Sequence, residues 1–192
     1  MPQETAPSYR DRLLAALADA IVELGYNAVT VSDVVRLAKV SKRTFYEHFA
    51  GKEEGLLALY EANSVRLVDA VEAALGASPA GITRVEVGVE AYLAGLQARP
   101  GLVRTVLVEI LHAGPRGLRV RRAVNRRFAA LLLREMGAAG TPPPHALDVA
   151  MALVGGVNEL VLEAVEDGRS DRLTDLVGPV SVLLLPFLSS GD

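Results

Sequence analysis

Between Ser41 and Glu54 the chain reads SKRTFYEHFAGKEE, and this segment holds three of the nine Phe and Tyr residues. Lys42, Arg43, His48 and Lys52 are interleaved with them, so four cationic or protonatable side chains fall within eleven residues. Lys and Arg donate hydrogen bonds to guanine O6 and N7, and a threonine such as Thr44 pairs with a base edge or touches a thymine methyl. Tyr46, His48 and Lys52 can donate to phosphate oxygens. The chemistry on offer is donation to nucleic acid. A solvated face beside a small core would use the same residue types, so their positions must decide.

On a helix over residues 41–49, Phe45 and Phe49 are four apart and share one face, where they can anchor it on the first helix. Lys42 and Tyr46 share another face, with Arg43 beside them. One side packs and the other presents donors. Ser41 is placed to cap this helix. Ahead of it lies a short helix carrying Val34, Val35 and Leu37, with Thr30 and Ser32 as candidate N-caps. Residues 38–40 join the two in about three residues, as in a helix-turn-helix, whose second helix enters the DNA major groove.

Other elements must position this pair. Leu13, Leu17, Ile21 and Leu24 fall on one face of a helix from about Arg10 to Leu24, and Gly25 is its stop. Lys52, Glu53 and Glu54 open a long helix to about Leu75, with the glutamates well placed for its dipole. GASPAG at 76–81 is small, uncharged and turn-prone, and is the best boundary. Beyond it the periodicity predicts helices at about 82–97, 101–112, 116–136, 145–166 and 171–188, with no alternating pattern that needs a strand. The expected fold is all-α, a small N-terminal bundle followed by a larger helical domain.

Residues 10–56 resemble the DNA-binding domain of TetR-family transcriptional regulators. ELGYNAVTVSDVVRLAKVSKRTFYEHFAGKEEGLL follows that family's GY turn after helix one, its T-V start to helix two, and its V-S-x-x-T-[LF]-Y-x-H-F-x-x-K-E-x-x-L run. The resemblance implies a reading domain at 1–56, with its recognition helix at about 41–49, and an effector-binding and dimerisation domain at 57–192. Carried over by position, Thr30 and Ser32 are phosphate contacts, and Lys42, Arg43 and Thr44 read bases. Tyr46, His48 and Lys52 hold phosphates. Two positions depart from the family pattern. Lys39 occupies a turn position that normally holds glycine, so it must take positive φ or alter the turn, and it can add a donor. Gly55 stands where leucine is usual, and the expectation is a lost apolar contact and a fraying first turn.

The resemblance further implies a homodimer through helices at about 145–166 and 171–188. Gly155, Gly156 and several alanines would permit close approach in the first, and the second is broadly apolar. The implied partners are an operator in double-stranded DNA and a small-molecule effector whose binding releases a repressor. Tyr92, Glu109, His112, Asn158 and Glu159 are polar groups inside apolar helical patterns and are the candidate ligand-binding residues. Seven arginines from Arg116 to Arg134 admit an anionic effector such as an acyl-coenzyme A. A solvated face paired with acidic neighbours is the plainer reading of that run.

Composition narrows the rivals. With a net charge of -3 and a pI near 5.7, bulk charge recruits neither nucleic acid nor membrane, so any such site must be local. The absence of cysteine removes disulfides and thiolate chemistry. Residues 1–8 do not read as a signal peptide, and no apolar stretch reaches the ~18 residues of a membrane span, so a cytoplasmic protein is expected. The three histidines come with no metal-binding or nucleophile motif, so no metal, no cofactor and no enzyme is expected. The alternative is a helical protein-interaction module without DNA binding, which leaves the donors at 42–52 unexplained.

Overall fold

The structure, a computed structural model, describes residues 7–78 and 82–188. Residues 1–6, which carry most of the leader reading, and residues 79–81 of the expected boundary lie outside them. The described residues form helices and no strand: α1 (Tyr9–Leu24), α2 (Val31–Ala38), α3 (Lys42–His48), α4 (Lys52–Ala77), α5 (Ile82–Gln97), α6 (Pro100–Leu107), α7 (Gly114–Ala139), α8 (Ala146–Glu166) and α9 (Val177–Leu188).

Local signals start and stop these helices. Ser8, Thr30 and Ser41 cap α1, α2 and α3, each accepting from the backbone N–H three residues on. Thr30 is the cap of α2 and Ser32 is its second residue, because Asp33 completes a capping box with Thr30. Thr30 Oγ1 donates to Asp33 Oδ2 at 2.6 Å, and that bond is the main cause holding the Asp33 carboxyl below its ordinary value of 3.8. A lowered carboxyl stabilises the fold above its ordinary pKa and loses that contribution as pH falls through the folded value. The stability difference between the parent and Asp33→Ala, measured by urea unfolding, should therefore be flat above pH ~4 and shrink as acid is added below it.

One core gathers Leu13, Leu17, Ile21, Val34, Phe45 and Phe49 beneath the N-terminal half of α4. Leu24, expected on the shared face of α1, is the last residue of its helix and stays 44% exposed, and Leu37 of α2 is 36% exposed. Gly55 corrects an expectation. The glycine is buried, and a Cβ there would lie 3.0 Å from Leu17 Cδ2, so its absence lets α4 settle on α1 instead of fraying.

Leu102, Ile110, Ala113 and Val124 complete this same core, so the first four helices rest on α6, the turn after it and α7. A second core holds α5, α8 and α9 together with parts of α4, α6 and α7. The expected helix at 101–112 is broken. α6 ends at Leu107, and a 3₁₀ turn, Glu109–Ala113, buries Ile110 while setting Glu109 beside Arg104 and His112. The expected helix at 171–188 likewise opens with a 3₁₀ turn, Leu173–Leu176, because Gln97 Oε1 accepts from both the N–H and the hydroxyl of Thr174, each at 3.0 Å.

Candidate nucleic-acid interface and internal cavity

α3 is fixed from beneath. Phe45 and Phe49 are 1% and 3% exposed, with ring centroids 5.6 Å apart, and Tyr46 stands edge-on to Phe45 at 5.5 Å. Lys42, Arg43, Tyr46 and His48 project outward as exposed residues, and Thr44 is half-buried with its hydroxyl 2.9 Å from that of Ser41. Among the described residues Arg43 pairs only with Glu47, at 3.1 Å, with its side chain 89% exposed, a surface pair that water readily replaces. The structure thus places the donors of Lys42, Arg43 and Tyr46 on one free surface.

The turn before α3 takes the form its sequence requires. Lys39 has φ 52 and ψ 49, a left-handed residue without glycine's freedom. The Arg12 guanidinium, a participant the sequence reading missed, holds this turn by donating to the carbonyls of Ala38 and Lys39 at 2.5 and 3.1 Å. Lys39→Gly keeps those backbone acceptors and relieves the strain, so it should raise stability by about 0.5–1 kcal/mol in thermal melts.

Lys52 does other work than the exposed donors. Its ammonium donates to the carbonyls of Tyr26 and Asn27 at 2.8 and 3.3 Å and lies 4.4 Å from the centre of the Tyr26 ring. It fastens the loop after α1 to the start of α4. His48 borders a cleft between α3 and α7 that also takes in Arg10, Glu54, Arg116 and Arg119. Thr30 is exposed, with its hydroxyl occupied by Asp33, and Ser32 is exposed beside it.

A cavity of about 410 Å³ lies in the second body of the protein. Its walls come from α4 (Val71, Leu75), α5 (Val85, Val89), α7 (Phe128, Leu131), α8 (Val154, Val157) and α9 (Val180, Leu184). Of the five ligand-binding candidates, the structure brings Tyr92 and Asn158 together here, with Tyr92 Oη donating to Asn158 Oδ1 at 3.2 Å. Burial raises the Tyr92 phenol above its ordinary pKa, so it stays neutral. Glu159 follows Asn158 on α8 and is therefore turned away, exposed.

Glu109 and His112 are not among the cavity's lining residues. Their contacts are with Arg104, 3.5 Å from Glu109, with each other at 3.2 Å, and with the Tyr26 ring, 5.9 Å from that of His112. They join the turn after α6 to the loop after α1.

Two cavity residues gave no signal in the sequence. Arg84 of α5 and Glu135 of α7 are far apart along the chain, yet two N–H···O bonds of 2.7 and 3.1 Å join them. The arginines of residues 116–134 do not line this cavity. Arg116 pairs with Glu53 at 3.0 Å and Arg134 with Glu72 at 3.3 Å, while Arg119, Arg122 and Arg126 lie exposed. Among the described residues no cluster of acidic, His or Cys side chains could hold a metal, and no helix is long and apolar enough to cross a membrane.

Comparison with known proteins bears on both regions. Residues 13–59 match the family of bacterial regulatory proteins, tetR family. The HTH-type transcriptional activator FasR of Mycolicibacterium smegmatis is 34% identical over 83 residues, covering 43% of this chain and 38% of its own. The HTH-type transcriptional regulator AlkX of Mycobacterium tuberculosis is 40% identical over 70 residues, covering 36% and 33%. The chain thus spans about a third of the length of these curated relatives.

Solved structures match over nearly the whole fold. The fatty acid degradation regulator FadR of Bacillus halodurans has a TM-score of 0.81 at 22% identity, covering 95% of this chain and 97% of that one. FadR of Bacillus subtilis in complex with stearoyl-CoA has a TM-score of 0.77 at 16% identity, covering 94% and 98%. At those identities the likeness is one of fold. Residues 13–59, which hold the anchored α2–α3 pair, thus match the tetR family of bacterial regulatory proteins, and over the rest of the chain the likeness is one of fold.

Proposed function

We propose that the protein is a ligand-responsive transcriptional repressor that binds a palindromic operator as a homodimer. Residues 1–56 form its reading domain, and residues 57–192 bind the effector and the second copy. The observation that carries this reading is α3, with Phe45 and Phe49 buried beneath it while Lys42, Arg43 and the Tyr46 hydroxyl face outward. Thr44 would join them at the bases. Thr30, Ser32 and His48 would meet phosphates, and Lys52 would serve by fixing the loop that leads to α2.

Dimerisation is supported by α8 and α9. Leu147 and Val182 are 50% and 71% exposed, and a Cβ at Gly155 would meet nothing within 4 Å. These two helices would pair with their copies and set two α3 helices about 34–36 Å apart, one helical turn of DNA.

The cavity is the proposed effector site. Its hydrocarbon walls suit an acyl chain, such as that of the stearoyl-CoA bound to the Bacillus subtilis neighbour. The link to DNA is α4, about 39 Å long at 1.5 Å per residue, whose first turn touches the reading head and whose last turns, with Val71 and Leu75, wall the cavity. Clearing an operator from 99% to 1% occupancy requires the effector to favour the released state by ~5.5 kcal/mol.

Selection of bound fragments from random duplex DNA, followed by sequencing, tests the reading. A palindrome with half-sites about one turn apart is expected. No enrichment by the folded, ligand-free protein would transfer the reading to a helical interaction module. FasR is named an activator, so transcription from a template bearing the recovered operator decides the direction of control.

A further inference from the structure

The cavity's polar groups say which ligands it admits. Among the described residues, four polar side chains interrupt its hydrocarbon lining: Arg84, Glu135, Tyr92 and Asn158. Arg84 uses four of its five N–H bonds within the protein. Nε and Nη2 donate to the two Glu135 oxygens at 2.7 and 3.1 Å, and Nη1 donates to the carbonyls of Leu75 and Ser78, the latter at 2.8 Å. Among the described lining residues the one positive and the one negative charge therefore cancel on each other.

A ligand anion would have to compete with Glu135 for a guanidinium that has one N–H uncommitted, and a ligand cation would have to take Glu135 from Arg84. Either exchange breaks an ion pair held by two N–H···O bonds, with side chains only 26% and 14% exposed, and leaves one partner's charge uncompensated. The second polar pair is neutral throughout. Tyr92 gives its one proton to Asn158 Oδ1 and is held edge-on by Phe128 at 5.2 Å. No described residue accepts from the Asn158 amide nitrogen. Turning that amide over would free the phenol's proton instead, so in both arrangements a donor remains for the cavity.

We infer that the part of the effector lying in this cavity is an uncharged hydrocarbon chain bearing one hydrogen-bond acceptor, received by Asn158 and Tyr92. An ester, thioester, amide or ketone has this form, and free carboxylates and amines are excluded. The inference rests on the reading of the cavity as the effector site.

The test is isothermal titration calorimetry of the full chain with methyl octanoate, octanoic acid and octylamine at pH 8. These ligands match in chain length and differ in charge. Methyl octanoate should bind at least about tenfold more tightly than the other two, the worth of one hydrogen bond made without displacing an ion pair. Asn158→Leu should remove about that factor for the ester, and Glu135→Gln, which leaves Arg84 unneutralised, should narrow the gap between acid and ester. Octanoic acid or octylamine binding the parent as tightly as the ester would overturn the inference and leave the effector site standing. Binding of none of the three would overturn the effector-site reading, and this inference with it.

Discussion

The variant Lys42→Ala/Arg43→Ala/Tyr46→Phe should bind the selected operator about a thousandfold more weakly while melting within a few degrees of the parent. Each base-reading donor is worth ~1–3 kcal/mol of discrimination, and loss of the tyrosine hydroxyl removes a phosphate bond besides. The side chains are expendable to the fold. Arg43 is 89% exposed, and Tyr46 is 57% exposed and keeps its ring against Phe45 as phenylalanine. Surface changes of this sort move stability by about half a kcal/mol or less. A regulator so altered should still dimerise and still bind its effector. Undiminished affinity would remove α3 from the interface.

Phe45→Ala should abolish DNA binding by a different route. Phe45 is 1% exposed and lies at the centre of the first core, in contact with the Phe49 and Tyr46 rings. Truncating a buried phenylalanine costs ~3–5 kcal/mol, a large share of the ~5–15 kcal/mol that holds a domain together. The cost falls on α1–α4, so an unfolding step should appear well below the parent's transition while the second core, which excludes Phe45, melts later. Circular dichroism melts distinguish the two variants. The first loses affinity at constant stability, and the second loses both together. An unchanged melt for Phe45→Ala would mean that α3 is not anchored as described.

The N-terminal helices were legible because their information is local. Ser41 caps α3 through its own third neighbour, Thr30 and Asp33 form their box within four residues, and a four-residue spacing puts Phe45 and Phe49 on one face. At Lys39 the resemblance left two outcomes, a positive φ or an altered turn, and the backbone takes the first. Gly55 misled because a missing side chain reads as a defect in isolation. Leu17 of α1 occupies the space that the missing Cβ leaves.

The C-terminal half was less legible. Periodicity located its helices to within a few residues, and the breaks at Val108 and before Val177 escaped because contacts from elsewhere impose them, among them Gln97 bound to Thr174. Among the polar residues set in apolar helices, no spacing along the chain separates Asn158, which meets Tyr92, from its neighbour Glu159, which meets solvent.

By itself, then, the sequence determined the first four helices, the caps of α2 and α3 and the exposed face of α3, since each depends on residues within a turn or two of one another. Tertiary structure alone decided that Arg84 and Glu135 neutralise each other, that Arg12 holds the turn before α3 and that Lys52 is committed to a loop. Those pairings span 51, 26 and 26 residues. A side chain's charge is written in the chain, but its partner is chosen by which helices the two cores bring side by side.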